Sequence, residues 1–110
     1  MRFISVYWQS KRVQALGFST QQESIYFLGW GYPDNDLVPY GLYDSIRFEV
    51  SLYQHSDESI ICSDLNLIGQ AAQHYLRNYN HDSSVKTKEA IIPYFKRYGV
   101  PLSIIANLFS

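Results

Sequence analysis

Apolar positions recur every second residue in parts of the first half of the chain and every third or fourth residue in the second half. Residues 3–8 (FISVYW) are β-branched and aromatic and predict a strand, with Phe3, Ser5 and Tyr7 on one face and Ile4, Val6 and Trp8 on the other. Both faces are largely apolar, so both are expected to be covered. Gln9-Ser10-Lys11 either turns the chain into a second strand over 12–18 or lets Ser10 cap a single helical turn. The hairpin is the favoured reading, although Val13, Ala15 and Gly17 alternate only weakly with their neighbours. Residues 24–30 (SIYFLGW) predict a further strand, with Gly29 and Gly31 allowing a bend at its end.

Residues 31–44 (GYPDNDLVPYGLYD) hold two Pro, two Gly, Asn35 and three Asp, and are expected to be an irregular loop turning at Pro33-Asp34-Asn35-Asp36. Alternation is clearest over 45–54, where Ile46, Phe48, Val50 and Leu52 are expected in the core and Arg47, Glu49, Ser51 and Tyr53 in water. His55 to Glu58 then turns, and residues 59–62 offer a short antiparallel partner.

From Ser63 the period changes. Leu65, Ile68, Ala72, Tyr75, Leu76 and Tyr79 predict a helix over 64–79, capped by Ser63 or Asp64. A second helix starts at Ser83 or Ser84 and runs to Gly99, with Val85, Ile91, Ile92, Tyr94, Phe95 and Tyr98 on a broad apolar face. Pro93 removes a backbone donor there and is expected to kink or split it. Gly99-Val100-Pro101 stops the chain and restarts it as a last helix over 101–109.

Strands followed by helices give an α+β class: a small antiparallel sheet from the N-terminal half with two to three C-terminal helices packed on one face. With 110 residues, 46% apolar and only 17% charged, the chain is expected to fold as a single domain, far from the composition of disordered segments. Ten tyrosines supplement the low charge, each an apolar ring with a hydroxyl that needs a partner.

Charge is sorted along the chain. Residues 1–12 carry +3, residues 13–76 hold eight acids against Arg47 alone, and residues 77–110 carry +3, so a net charge of −1 conceals an acidic middle. Cys62 is the sole cysteine, which excludes an internal disulfide and paired-cysteine zinc patterns and implies a reducing compartment, the cytoplasm. The N-terminal apolar stretch is too short for the core of a secretion signal, and no run approaches the roughly 20 residues needed to cross a bilayer.

Candidate chemistry is sparse. His74 and His81 are two helical turns apart, but no carboxylate at helical spacing completes a metal site, and no metal or cofactor is expected. His74 with Arg77 is the nearest approach to an acid–base pair holding phosphate, but scattered polar groups on a helix surface are the favoured reading. Cys62, beside Ile60 and Ile61, reads as a small buried hydrophobe. Gly29-Trp30-Gly31 lacks the third glycine and the following helix of a phosphate loop. The segment KTKEAIIPYFKRYGVPLSIIANLFS, starting at Lys86, resembles the first two helices of a helix-turn-helix and offers Lys86, Lys88, Lys96 and Arg97 to phosphate. No recognition helix is expected within these residues, and the acidic middle is expected to repel a polyanion, so nucleic acid is the lesser alternative.

Acid mixed with tyrosine is the chemistry of a surface that docks a basic protein: rigid amphipathic rings supply contact area and carboxylates steer the encounter. Tyr32, Asp34, Asp36, Tyr40, Tyr43 and Asp44 are the candidate partner-binding residues. A single α+β domain of this length, with one cysteine and a tyrosine-rich acidic stretch, resembles the small cytoplasmic immunity proteins of bacterial contact-dependent growth inhibition. The resemblance implies a protein that is not an enzyme, a tight inhibitor docking over or beside the active site of a cognate toxin, often a basic nuclease domain.

Overall fold

The computed structural model describes residues 1–31, 36–55 and 57–109. Its first two strands, β1 (Phe3–Gln9) and β2 (Arg12–Phe18), pair antiparallel through a two-residue turn. Ser10 and Lys11 both take positive φ there, 54° and 65°, the backbone that matches the twist of a tight hairpin. Serine and lysine are unusual in those positions, which is why the turn announces itself weakly.

Residues 24–30 are helical rather than extended: they belong to α1 (Gln21–Gly31). Thr20 starts the helix, its Oγ1 accepting from the Glu23 amide at 3.3 Å and donating to Glu23 Oε1 at 2.8 Å, a variant of the capping box. The apolar pattern misleads because the buried face is Glu23, Ser24, Phe27 and Leu28, while Ile25 and Tyr26 face outward. Ser5 of β1 meets this polar edge, donating to the Ser24 carbonyl oxygen at 3.0 Å and touching the Ser24 hydroxyl.

Much of the expected loop 31–44 is also regular. Residues Val38–Asp44 form β3, which pairs antiparallel with β1 and, on its other side, with β4 (Glu49–Leu52), giving the sheet order β2-β1-β3-β4. Its Pro and Gly have specific places in the sheet. The register steps between Val6 and Tyr7, so Pro39 lies opposite Tyr7, Gly41 lies opposite Val6, and Tyr40 is the extra residue of a bulge, where a missing ladder donor is tolerated. Gly41 is required by close packing: a Cβ there would press into the Ser51 carbonyl oxygen and lie 3.0 Å from Ile68 Cδ1.

The last strand, β4, is only Glu49–Leu52 rather than 45–54. Asp44 Oδ1 accepts from the amides of Ile46 at 3.0 Å and Arg47 at 3.2 Å, folding residues 45–48 into a turn that overrides their alternation. Val50 and Leu52 pack inward as expected, but Ile46 and Phe48 do not. Residues 59–62 add no strand; the His55 amide donates to the Ser59 carbonyl at 3.0 Å and closes a loop instead.

The helices follow the 3.6-residue period. Helix α2 (Leu65–Arg77) is capped by Asp64, which accepts from the Leu67 amide at 3.0 Å. The cap of α3 (His81–Arg97) is Asn80, accepting from the Ser83 amide at 3.1 Å, and not Ser83 or Ser84. Ser84 is buried, its hydroxyl 2.9 Å from that of Tyr75 on α2. Pro93 lies within α3 without splitting it. Gly99, at φ 73°, ends the helix in a Schellman motif, with Val100 donating to Phe95 at 3.0 Å and Gly99 to Lys96 at 3.2 Å. Helix α4 (Leu102–Ala106) and a 3₁₀ turn (Asn107–Phe109) then fill the expected span 101–109.

The architecture is α+β, with apolar clusters on both faces of the sheet. On one, Tyr7, Leu16 and Phe18 meet Phe27 and Leu28 of α1, Ile91 and Phe95 of α3, and Ile105 of α4. On the other, Ile4, Val6 and Tyr43 meet Ile68 and Ala72 of α2. Among the C-terminal helices, α3 and α4 thus share a face with α1, and α2 lies across the sheet from them. Among the described residues no helix is long and apolar enough to cross a membrane.

Candidate interaction surface

Strand β3 decides where the expected binding residues go. Tyr32 and Asp34, with Pro33 and Asn35 of the expected turn, lie outside the described residues. Asp36 is exposed at φ 56°, and Tyr40, the bulge residue, is half-buried, its phenol pushed up by burial. Tyr43 and Asp44 are not available as surface anchors. Tyr43 points into the cluster beneath α2, because it occupies a core-facing position once β3 is recognised as a strand. Asp44 is buried at the strand end, where Arg2 donates through Nε to Oδ1 at 3.0 Å and through Nη2 to Oδ2 at 2.9 Å. Those bonds hold its carboxyl well below the usual carboxylate range, aided by the Arg47 and Ile46 amides.

The basic helical segment is altered in the same way. Lys86, Lys96 and Arg97 are exposed, and Arg97 stacks 5.5 Å over the Tyr94 ring, but Lys88 is buried against Phe18 and is lost to any phosphate track. His74 and His81 remain on the surface; His81 Nδ1 lies 3.2 Å from the Tyr79 hydroxyl. Among the described residues no three His, Cys, Asp or Glu side chains converge as metal ligands.

What the sequence did not disclose is an apolar prominence beside α2. The Asp44 turn thrusts Ile46 and Phe48 outward, 64% and 77% exposed, and holds Phe48 at φ 57°. A bulky residue in the left-handed region is strained, since its Cβ crowds the following carbonyl. Phe48 and Leu65, itself 51% exposed, line one shallow groove of about 240 Å³ floored by Tyr43 and Val50 and edged by Asn66, Gly69, Gln70 and Gln73. An apolar centre with a polar rim is the anatomy of a protein–protein contact. The signal was present as Asp44-Ser45, a turn-starting pair placed just before the alternating run.

No family model, curated protein or solved structure matches the chain.

The groove's own polar edge is neutral, but the exposed charges of the surrounding stretch of chain are mostly acidic. Glu49 follows Phe48 and Asp64 precedes Leu65, while Asp57 and Glu58 lie on the connection between β4 and α2; all four are exposed. Asp57 is held below the ordinary carboxylate range by the Ser59 hydroxyl and amide, at 2.6 and 3.0 Å, and so stays ionised. Ile60 and Ile61 of the same connection are also exposed. Arg47 is the only base between residues 13 and 76.

Proposed function

We propose that the chain is a non-enzymatic protein-binding inhibitor of the immunity type, neutralising a cognate toxin whose docking face is basic, as a nuclease domain's is. The reading is carried by one observation: Phe48, strained and exposed, shares a groove with Leu65 inside a stretch whose exposed charges are acidic but for Arg47. Strain at an exposed aromatic lowers stability without improving the core, and a partner that buries the ring supplies the compensating contact. The exposed carboxylates of the same stretch of chain would steer a cationic partner.

The test is co-purification with the product of the neighbouring open reading frame, expected to be a toxin-like domain, followed by titration calorimetry on variants. Phe48→Ser and Leu65→Ser are each expected to weaken the complex by about 30-fold or more, the loss typical of a central anchor. Glu49→Lys with Glu58→Lys is expected to slow association and flatten its salt dependence. An unchanged affinity in Phe48→Ser would remove this surface from the interface.

A further inference from the structure

A second concavity lies on a different part of the molecule. It is a cleft of about 530 Å³ between Met1, the helix corner at Tyr79 and His81, one stripe of α3 and the terminal 3₁₀ turn. Ser84, Val85, Lys88 and Glu89 line it from α3 at helical spacing, and Leu108 and Phe109 close the opposite wall. Its volume lies within the range of small-molecule pockets.

Lys88 makes this cleft chemically specific. Although it lines the opening, the residue is only 8% exposed, and its Nζ stacks 5.0 Å from the Phe18 ring centroid. Among the described residues its ammonium has neither a hydrogen bond nor an ion pair within 4.0 Å. Burial lowers its pKa, and the charge of Glu23 opposes that shift. Glu23 is itself fully buried; Thr20 holds Oε1 at 2.8 Å, whereas Oε2 has no hydrogen-bond partner. An ammonium that loses much of its hydration and gains no protein acceptor is costly to a fold, and Nζ is left in contact with solvent rather than sealed in the core. An apolar residue of that length would fill the position at lower cost.

We propose that the cleft binds a small amphipathic monoanion, its carboxylate on Lys88 and its apolar body against Val85, Leu108 and Phe109. One lysine offers a single positive charge, burial pushes the Glu23 carboxyl up toward its neutral form, and Glu89 at the wall disfavours a second negative charge such as a phosphate dianion carries. The carboxylate replaces the hydration that burial removes from Nζ, giving a charge-assisted hydrogen bond in a partly dry site. The apolar wall gives a short alkyl or aryl chain its contact area.

The test uses decanoate and its neutral analogue decanamide, followed by amide chemical-shift mapping on the intact chain. Decanoate is expected to shift the amides of Val85, Lys88 and Phe109, and Lys88→Met to weaken it at least about 10-fold while leaving decanamide unchanged, as loss of one charge-assisted bond requires. Val85→Trp, which fills the cleft without touching the charge, is expected to abolish binding of both and serves if Lys88→Met does not fold. Inorganic phosphate is expected not to compete. Undiminished decanoate affinity in Lys88→Met or in Val85→Trp, shifts confined to the Phe48 groove, displacement by phosphate, or no binding at all would each overturn the proposal.

Discussion

Arg2 and Asp44 are joined by two parallel hydrogen bonds, Nε to Oδ1 at 3.0 Å and Nη2 to Oδ2 at 2.9 Å, across the paired ends of β1 and β3. The backbone carbonyl of Arg2 also accepts from the Ser45 amide at 2.9 Å and the Ser45 hydroxyl at 2.8 Å. One carboxylate therefore ties the first strand to the third and, through the Ile46 and Arg47 amides, sets the turn that projects Phe48.

Replacing Asp44 by Asn removes the charge and disturbs both arms of this clamp. The folded-state pKa of Asp44 is depressed, chiefly by the Arg2 hydrogen bonds, so its contribution is complete above the ordinary aspartate pKa of about 3.9 and is lost as pH falls through the folded value. Thermal melts are expected to show Asp44→Asn several degrees less stable at neutral pH. The deficit should shrink as the native protein is acidified below about pH 4. A deficit constant down to pH 2 would mean that the charge contributes nothing.

Two glycines are expected to respond to alanine with opposite signs. A Cβ at Gly41 runs into the Ser51 backbone, which cannot move without unpairing β4, and the expected cost is about 2–3 kcal/mol, as for overpacking in a tight core. At Gly69, inside α2, the added methyl meets Val50 Cγ2 at 3.4 Å, an ordinary contact, and the helix gains up to about 1 kcal/mol in propensity. Urea unfolding of the two variants reads both effects. Equal midpoints for the two would contradict the close approach at Gly41.

The sequence shows the helical half of the fold more clearly than the sheet, and the reason lies in particular residues. Helices α2 and α3 display their period because Ile68 and Ala72, then Ile91 and Phe95, face the core at helical spacing, although α3 also buries Ser84 and Lys88 on that side. Helix α1 conceals its period because two of its core-facing positions are Glu23 and Ser24, which the fold satisfies in part through Thr20 and Ser5. Strand β3 is concealed by Pro39 and Gly41, residues that break an average strand but suit a bulge and a close crossing. Once β3 is a strand, Tyr43 enters the core and Asp44 is drawn into the strand end, so these two leave the surface that the composition of residues 31–44 implied. The exposed Phe48 was missed by the same logic reversed, since perfect alternation placed it in the core and only the Asp44 turn takes it out.

The buried tyrosine on β1 gives the protein an alkaline limit. Tyr7 is 4% exposed between Phe27 and the rest of the first cluster, and burial pushes its phenol up to about 12, with a smaller contribution from Tyr75. The native state then keeps a proton that the unfolded chain releases near pH 10. Stability is complete below that pH and declines as it rises toward 12, by on the order of 2–3 kcal/mol from this group. Tyr7→Phe is expected to remove one late-ionising phenol from the ultraviolet titration and to reduce the stability loss between pH 10 and pH 12. If the variant titrates and melts like the native protein over that range, Tyr7 is not the group that limits it.

The strain at Phe48 separates fold from function most directly. At φ 57° a glycine carries no Cβ penalty, and the phenyl ring makes little use of its position because it is 77% exposed. Phe48→Gly is therefore expected to leave the free protein as stable or to raise its stability by up to about 1 kcal/mol, the relief of a left-handed non-glycine offset by the greater freedom of the unfolded chain. The same variant is expected to weaken the complex with a basic toxin domain as strongly as Phe48→Ser does. Thermal denaturation and calorimetry on one preparation separate the two effects. A destabilised free protein would show that the ring serves the fold through Leu65 and Val50, and the exposed aromatic would then no longer argue for a partner.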